Sequence, residues 1–198
     1  MHAAEQQRPD VAKAREDWIA RQPSRDPHKL VFLDETGTST KMARLCGRSK
    51  RGTRLVCRVP FGHWKTITAI LALRADGVTA PFAIDCAVNG NIFTEYVRQV
   101  LVPNLRAGDI VVMDNLSAHK GEEVRDLIEE AGAFLEYLPP YSPDFNPAEQ
   151  LISMVKAALR KAAKRTVPDL FHQIGRALDA ISPTQCLNFI RNSGYAQT

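Results

Sequence analysis

The sequence has no apolar run near the roughly 18 residues that a membrane-spanning helix requires, so no membrane span is expected. Its first stretch, MHAAEQQRPDVAKARED, lacks the apolar segment of a secretory signal, and no secretion is expected. Cysteine is sparse. Cys46, Cys57, Cys86 and Cys186 form no C-x-x-C pair, and none stands at a zinc-like spacing from histidine. That argues against a disulfide scaffold and a zinc site, and free thiols in a reducing compartment are expected. Internal repeats and low-complexity tracts are also missing, which argues against solenoids and linker-like tails.

The 198 residues, 44% of them hydrophobic, suit one globular domain with a short appendage. A single core of this size can bury well over half of the unfolded surface. The net charge is +4, a mild hint of a polyanionic partner. Its distribution is more informative. Between residues 41 and 58 stand seven basic residues (Lys41, Arg44, Arg48, Lys50, Arg51, Arg54 and Arg58) and no acidic one. A solvated loop would explain such a run, and so would a surface that meets phosphates.

Hydrophobic periodicity orders the elements. Residues 10–20 suggest a short amphipathic helix, with Val11, Ala14, Trp18 and Ile19 near one face, followed by a Pro-containing connector. Leu30–Leu33 is a compact apolar run that suggests a buried strand, and it ends in Asp34. The basic segment is expected to contain a strand near 53–59. Residues 66–73 and 78–88, separated by Asp76-Gly77, suggest an antiparallel hairpin. Phe93, Tyr96, Val97, Val100 and Leu101 have helical spacing, which Pro103 should end or kink. Ile110–Met113 is a second buried-strand run, and it ends in Asp114. A helix over 120–131 with Gly132 at its C-terminus and a strand over 134–138 should follow. From Pro147 a long helix carries Leu151, Met154, Val155, Ala158, Leu159 and Ala162 on one stripe. Two further helices close the chain, the second beginning at Ser182-Pro183.

Three carboxylates stand where chemistry could be built. A strand end is rigid and places a side chain at the mouth of a sheet. Asp34 and Asp114 each follow such a strand, although a lone aspartate there is usually a turn former or helix cap. Glu149 falls in the first turn of the long helix, where the helix dipole alone would favour it. It lies off the apolar stripe, in line with Ser153, Lys156 and Arg160. That line is either a solvated face with weak charge pairing or a surface that meets a phosphate backbone. Three converging acids repel one another unless hard divalent cations sit among them. Mg²⁺ prefers oxygen ligands and leaves positions open for water and phosphate.

The blocks Phe32-Leu33-Asp34-Glu35-Thr36, Val112-Met113-Asp114-Asn115-Leu116-Ser117-Ala118-His119-Lys120 and Leu138-Pro139-Pro140-Tyr141-Ser142-Pro143-Asp144-Phe145-Asn146-Pro147-Ala148-Glu149 resemble the DDE transposases of the mariner-like superfamily, in particular its bacterial insertion-sequence branch. Thirty-four residues separate Asp114 from Glu149, a spacing typical of that family. The resemblance covers roughly residues 30–195 and implies a ribonuclease H-like α/β fold, a mixed central sheet flanked by helices. It implies that Asp34, Asp114 and Glu149 are catalytic and bind two Mg²⁺ or Mn²⁺ ions, the aspartates bridging or flanking them. The implied reaction is cleavage at element ends by metal-activated water, then attack of the freed 3′-hydroxyl on target DNA, commonly at TA. The implied partners are double-stranded DNA, as terminal inverted repeats and target, and a second copy of the chain in the DNA complex. The implied setting is the bacterial cytoplasm, at the nucleoid.

Glu35 and Asn115 adjoin the triad and are expected to shape the site, and the Pro-rich turn to aim Glu149. Candidate DNA contacts are Lys41, Arg44, Arg48, Lys50, Arg51, Arg54, His119, Lys156 and Arg160. For His119 a structural hydrogen bond at a helix start competes equally. The expected layout is a linker helix and connector over 1–29, the catalytic domain over 30–165, and C-terminal helices over 166–198 packed upon it. Two departures from the family pattern stand out. Ile152 occupies a place where relatives often carry Trp or Phe, which should loosen packing around the catalytic helix. Only about 29 residues precede the first strand, too few for the helix–turn–helix domains of complete relatives. A separate or frameshift-joined helix–turn–helix portion, a truncated copy or a designed fragment would each account for this. Another ribonuclease H-like nuclease and an inactive or domesticated DNA-binding remnant are the competing functions.

Overall fold

The computed structural model of the chain describes residues 4–59, 61–115 and 121–195. Strands β1 (Leu30–Ser39), β2 (Thr66–Arg74) and β3 (Gly77–Ile84) form an antiparallel meander. Strands β4 (Ile110–Met113) and β5 (Phe134–Tyr137) continue the sheet, parallel to β1 on its other side. The spatial order is β3-β2-β1-β4-β5. Around the sheet lie α1 (Pro9–Arg21), α2 (Gly90–Tyr96), α3 (Glu122–Glu130), α4 (Ala148–Ala162), α5 (Val167–Asp179) and α6 (Pro183–Asn192). This is the mixed, helix-flanked ribonuclease H-like arrangement expected from the sequence.

Side chains alternate along a strand, so each central strand feeds two cores. Leu30 and Phe32 of β1 and Val112 of β4 pack with Trp18 of α1 and with the apolar faces of α4, α5 and α6. Val31, Leu33, Val111 and Met113 point the other way, against α2, the turn after it, and α3. Covering both faces is what makes β1 and β4 read as unbroken apolar runs. Each fully buried Leu, Ile, Val or Phe contributes roughly 1.5–3 kcal/mol relative to exposure. At the end of the sheet where β1 and β4 begin, a buried ion pair joins Arg74 to Asp109.

Several element ends follow from local chemistry. Gly132 stands just past α3 with φ 76°, the left-handed cap that glycine adopts freely. The Ser182 side chain accepts from the Gln185 amide, the Gln185 side chain accepts in return from the Ser182 amide, and Pro183 takes the first helical position of α6. The periodic segment after Asn89 differs in detail from a plain helix. Asn89 caps α2 by accepting from the Ile92 amide at 3.0 Å. The chain then widens into a π-helical turn over Val97–Leu101 and tightens around Pro103.

The strand expected near 53–59 does not form. Residues 53–59 are exposed and irregular, with Val56 79% exposed. The physical reason is the sheet order. Both sides of β1 and of β2 are already paired, so β-rich residues in the connection between them have no free edge beside them. The return strand of the hairpin also ends earlier than expected, at Ile84.

Candidate active site

The parallel register between β1 and β4 builds the first half of the site. Leu30 pairs with Ile110, Val31 with Val111 and Phe32 with Val112. Continuing that step brings Asp34 level with Asp114, both on the face that carries Leu30 and Phe32. Neighbouring strands lie about 4.8 Å apart, so two carboxylates rise side by side toward α4. Both residues are half-buried. One Asp34 carboxylate oxygen accepts from the backbone amide of Glu35 at 2.8 Å. That bond restricts the rotation of the side chain.

The second half comes from the segment between β5 and α4. The Leu138 amide donates to the carbonyl of Met113 at 2.9 Å, which holds the start of the crossing segment beside Asp114. Residues Pro143–Phe145 make one tight turn. Asn146 follows, buried, with its side-chain oxygen accepting from the Ala148 amide at 3.1 Å. Its side-chain nitrogen reaches the carbonyl of Leu33 at 3.5 Å, the residue before Asp34. Asn146, one residue before the N-cap Pro147, thus holds the first amide of α4 and ties that helix start to β1. Glu149 stands exposed in the first turn, where the helix dipole favours its charge.

The segment that aims Glu149 is gripped from the N-terminal side as well. Arg15 of α1 donates to both carboxylate oxygens of Asp144, at 2.9 and 2.6 Å, and to the Ser142 hydroxyl at 2.8 Å. Its guanidinium lies 4.2 Å from the centroid of the Phe145 ring. Gln6 donates to the carbonyl of Tyr141 at 2.6 Å. Trp18 donates its indole N–H to the Tyr195 hydroxyl, which donates in turn to the carbonyl of Phe145, both at 2.8 Å. Burial pushes the Tyr195 phenol up to about 12.

Asp34, Asp114 and Glu149 line one cleft of about 430 Å³ together with Asn115, Asn146 and the wall Leu138–Pro143. Its polar groups are all oxygen or amide donors and acceptors, with no thiol or imidazole among the described residues. That set suits a hard divalent cation. Among the described residues no three acidic, imidazole or thiol groups close into a finished metal cage. The cleft is open to solvent.

The basic candidates lie elsewhere. Lys41, Arg44, Arg48, Lys50, Arg51 and Arg54 are exposed on the connection from β1 to β2. Lys41 places its ammonium 3.6 Å from the centroid of the Trp64 ring, and Arg165 fixes the root of the connection by donating to the carbonyls of Thr40 and Met42. Lys156 and Arg160 are half-buried on α4, in line with Glu149 along the helix axis. None of these side chains lines the cleft. His119 lies outside the described residues. Ile152 is 4% exposed within the core cluster under α4.

Sequence reasoning gave no role to Asn146 or Arg15. For Asn146 a signal existed, since Asn-Pro just before a helix is a turn and cap signature. For Arg15 there was none, because its partners lie 127 and 129 positions away.

The DDE superfamily endonuclease family matches this sequence over residues 29–170, a span that includes all three carboxylates. The chain belongs to that family. Comparison with solved structures returns the Mos1 transposase paired-end complex with left transposon end, at 18% identity and TM-score 0.76, covering 98% of this chain and 61% of that one. The catalytic domain of Mos1 mariner transposase matches at 16% identity and TM-score 0.73, covering 98% and 91%. The Mos1 mariner paired end complex with Mn also matches at 16% and 0.73, covering 98% and 61%. These likenesses bear on the fold. The chain spans about three fifths of the length of the Mos1 chains in the complexes and nearly all of the catalytic domain. No curated protein matched the sequence.

Proposed function

We propose that this chain is the catalytic domain of a DNA transposase of the mariner-like superfamily, from its bacterial insertion-sequence branch. It cleaves DNA at the terminal inverted repeats of an element and transfers the strand ends into target DNA, at TA. The observation that carries the reading is the single cleft lined by Asp34, Asp114 and Glu149. Support also comes from the family match across that cleft and from the Mos1 complex that contains Mn.

Asp34, Asp114 and Glu149 would hold two Mg²⁺ or Mn²⁺ ions. Such ions activate a water or hydroxyl nucleophile and stabilise the leaving oxygen of an in-line displacement at phosphorus. The protein supplies rigid placement. Adjacent strands fix the two aspartates, and the Asn146 side chain fixes the helix start that carries Glu149. The exposed basic connection 41–58, with Lys156 and Arg160, would neutralise the DNA backbone away from the cut. Two element ends must be brought together, so the working form is a dimer on DNA. A helix–turn–helix portion, separate or joined by frameshifting, would recognise the ends. The site of action is the bacterial nucleoid.

The test is nicking of supercoiled plasmid in Mn²⁺ by the unsubstituted chain and by Asp34→Asn, Asp114→Asn and Glu149→Gln. Each substitution should lower nicking about 100-fold or more while the chain stays folded, checked by melting temperature without metal, where the lost ligand contributes nothing. Full nicking by Asp114→Asn would sink the assignment.

A further inference from the structure

The geometry points to Arg15 as a positioning residue for the carboxylate cleft, acting from α1 on the helix start that carries Glu149. The inference rests on the metal-dependent reading above.

Both terminal nitrogens of Arg15 donate into one short segment. One terminal nitrogen bonds the Ser142 hydroxyl and one oxygen of Asp144, and the other bonds the second oxygen. The guanidinium face covers the ring of Phe145. Its side chain is only 16% exposed, against 40% for Asp144. A bidentate pair of this kind is directional, unlike a loose surface ion pair.

The place where this contact acts is what gives it a role. Ser142 belongs to the cleft wall, and Phe145 adjoins Asn146, whose side chain holds the first amide of α4. Glu149 is itself exposed, so its position is that of the helix start beneath it. α1 already has core anchors in Val11 and Trp18. The Arg15 contact is additional, and it ends on the wall and turn that lead to Glu149. Groups that orient a metal ligand from behind typically change metal affinity 10- to 100-fold when removed.

The experiment measures Mn²⁺ binding by loss of the free-ion EPR signal, alongside melting temperature, for the whole chain and its variants. Glu149→Gln should lose Mn²⁺ binding. Arg15→Ala should weaken it about tenfold in the folded protein, and Arg15→Lys, which keeps the charge but not the fork, should fall between. Arg15→Asp should weaken it further, and adding Asp144→Arg should bring affinity back to within about threefold of the unsubstituted chain. A merely structural Arg15 would lower the melting temperature and leave Mn²⁺ affinity unchanged, and that result would overturn the proposal. If Arg15→Ala does not fold, the lysine variant and the exchanged pair are judged by the same criterion. Failure of the unsubstituted chain to bind Mn²⁺ would overturn the metal reading and the positioning role together. Unchanged binding in the Arg15 variants, with loss in Glu149→Gln, would overturn the positioning role alone.

Discussion

Tyr141 adopts φ 55°, the left-handed region that side chains with a Cβ avoid, and it does so in the wall of the carboxylate cleft. Such a conformation costs about 1–2 kcal/mol. It persists because its neighbours over-determine it, through Gln6 on its own carbonyl and Arg15 on the Ser142 hydroxyl. Tyr141→Gly should therefore raise stability by about 1 kcal/mol, read as an increase in melting temperature. A decrease would mean that the ring contributes more by packing than its backbone costs. At this scale the sequence was partly legible. Asp34, Asp114 and Glu149 could be singled out because each ends or begins a strongly patterned element. Arg15 could not, because nothing local distinguishes it from the other charged residues of an amphipathic helix.

The connection between β1 and β2 concentrates exposed positive charge while the sheet on either side of it is buried. If it grips a DNA backbone, each neutralised phosphate releases counterions, and affinity falls with salt by about 0.9 in log–log slope per contact. Replacing Lys50, Arg51 and Arg54 with Gln should reduce that slope by about 2–3, measured on a nonspecific duplex. An unchanged slope would show that this connection meets no phosphate. The same connection marks where element-level reading failed. Strand propensity over 53–59 was real, but the flanking strands were already paired on both sides. Propensity acts only where an edge is free. Elements whose partners were written into the pattern, such as the hairpin, the amphipathic α4 and the capped α6, were legible to within a few residues. The π-helical turn over Val97–Leu101 was not, since it keeps the same residues buried that a regular helix would.

Across the whole molecule, Tyr195 joins parts that are distant in sequence. It is buried against Phe32 and bonded to Trp18 and to the carbonyl of Phe145. Its phenol stays neutral in the fold up to about 12, against 10 for an ordinary tyrosine. Below pH 10 both folded and unfolded chains keep the proton, and the contribution to stability is constant. Between 10 and 12 the unfolded chain ionises first, so stability should fall by about 1.4 kcal/mol for each unit of pH. Burial shifts Tyr96 in the same direction, so it adds a similar slope over that window and carries the loss beyond it. Melting temperature followed from pH 8 upward should thus decline steeply past 10, and less steeply in Tyr195→Phe. A flat profile over that window would contradict the burial of these phenols.

The level placement of Asp34 and Asp114 has a genetic consequence. Each stands a fixed count beyond the first paired residue of its strand, and side chains alternate along strands. One codon gained or lost within 30–34 or 110–114 would turn a carboxylate toward the opposite core. The same change among residues 43–59 would lengthen or shorten a loop and leave the cleft in place. Descendants of this gene that keep a working cleft should therefore vary freely in length in that loop, while the two short strand segments keep their count.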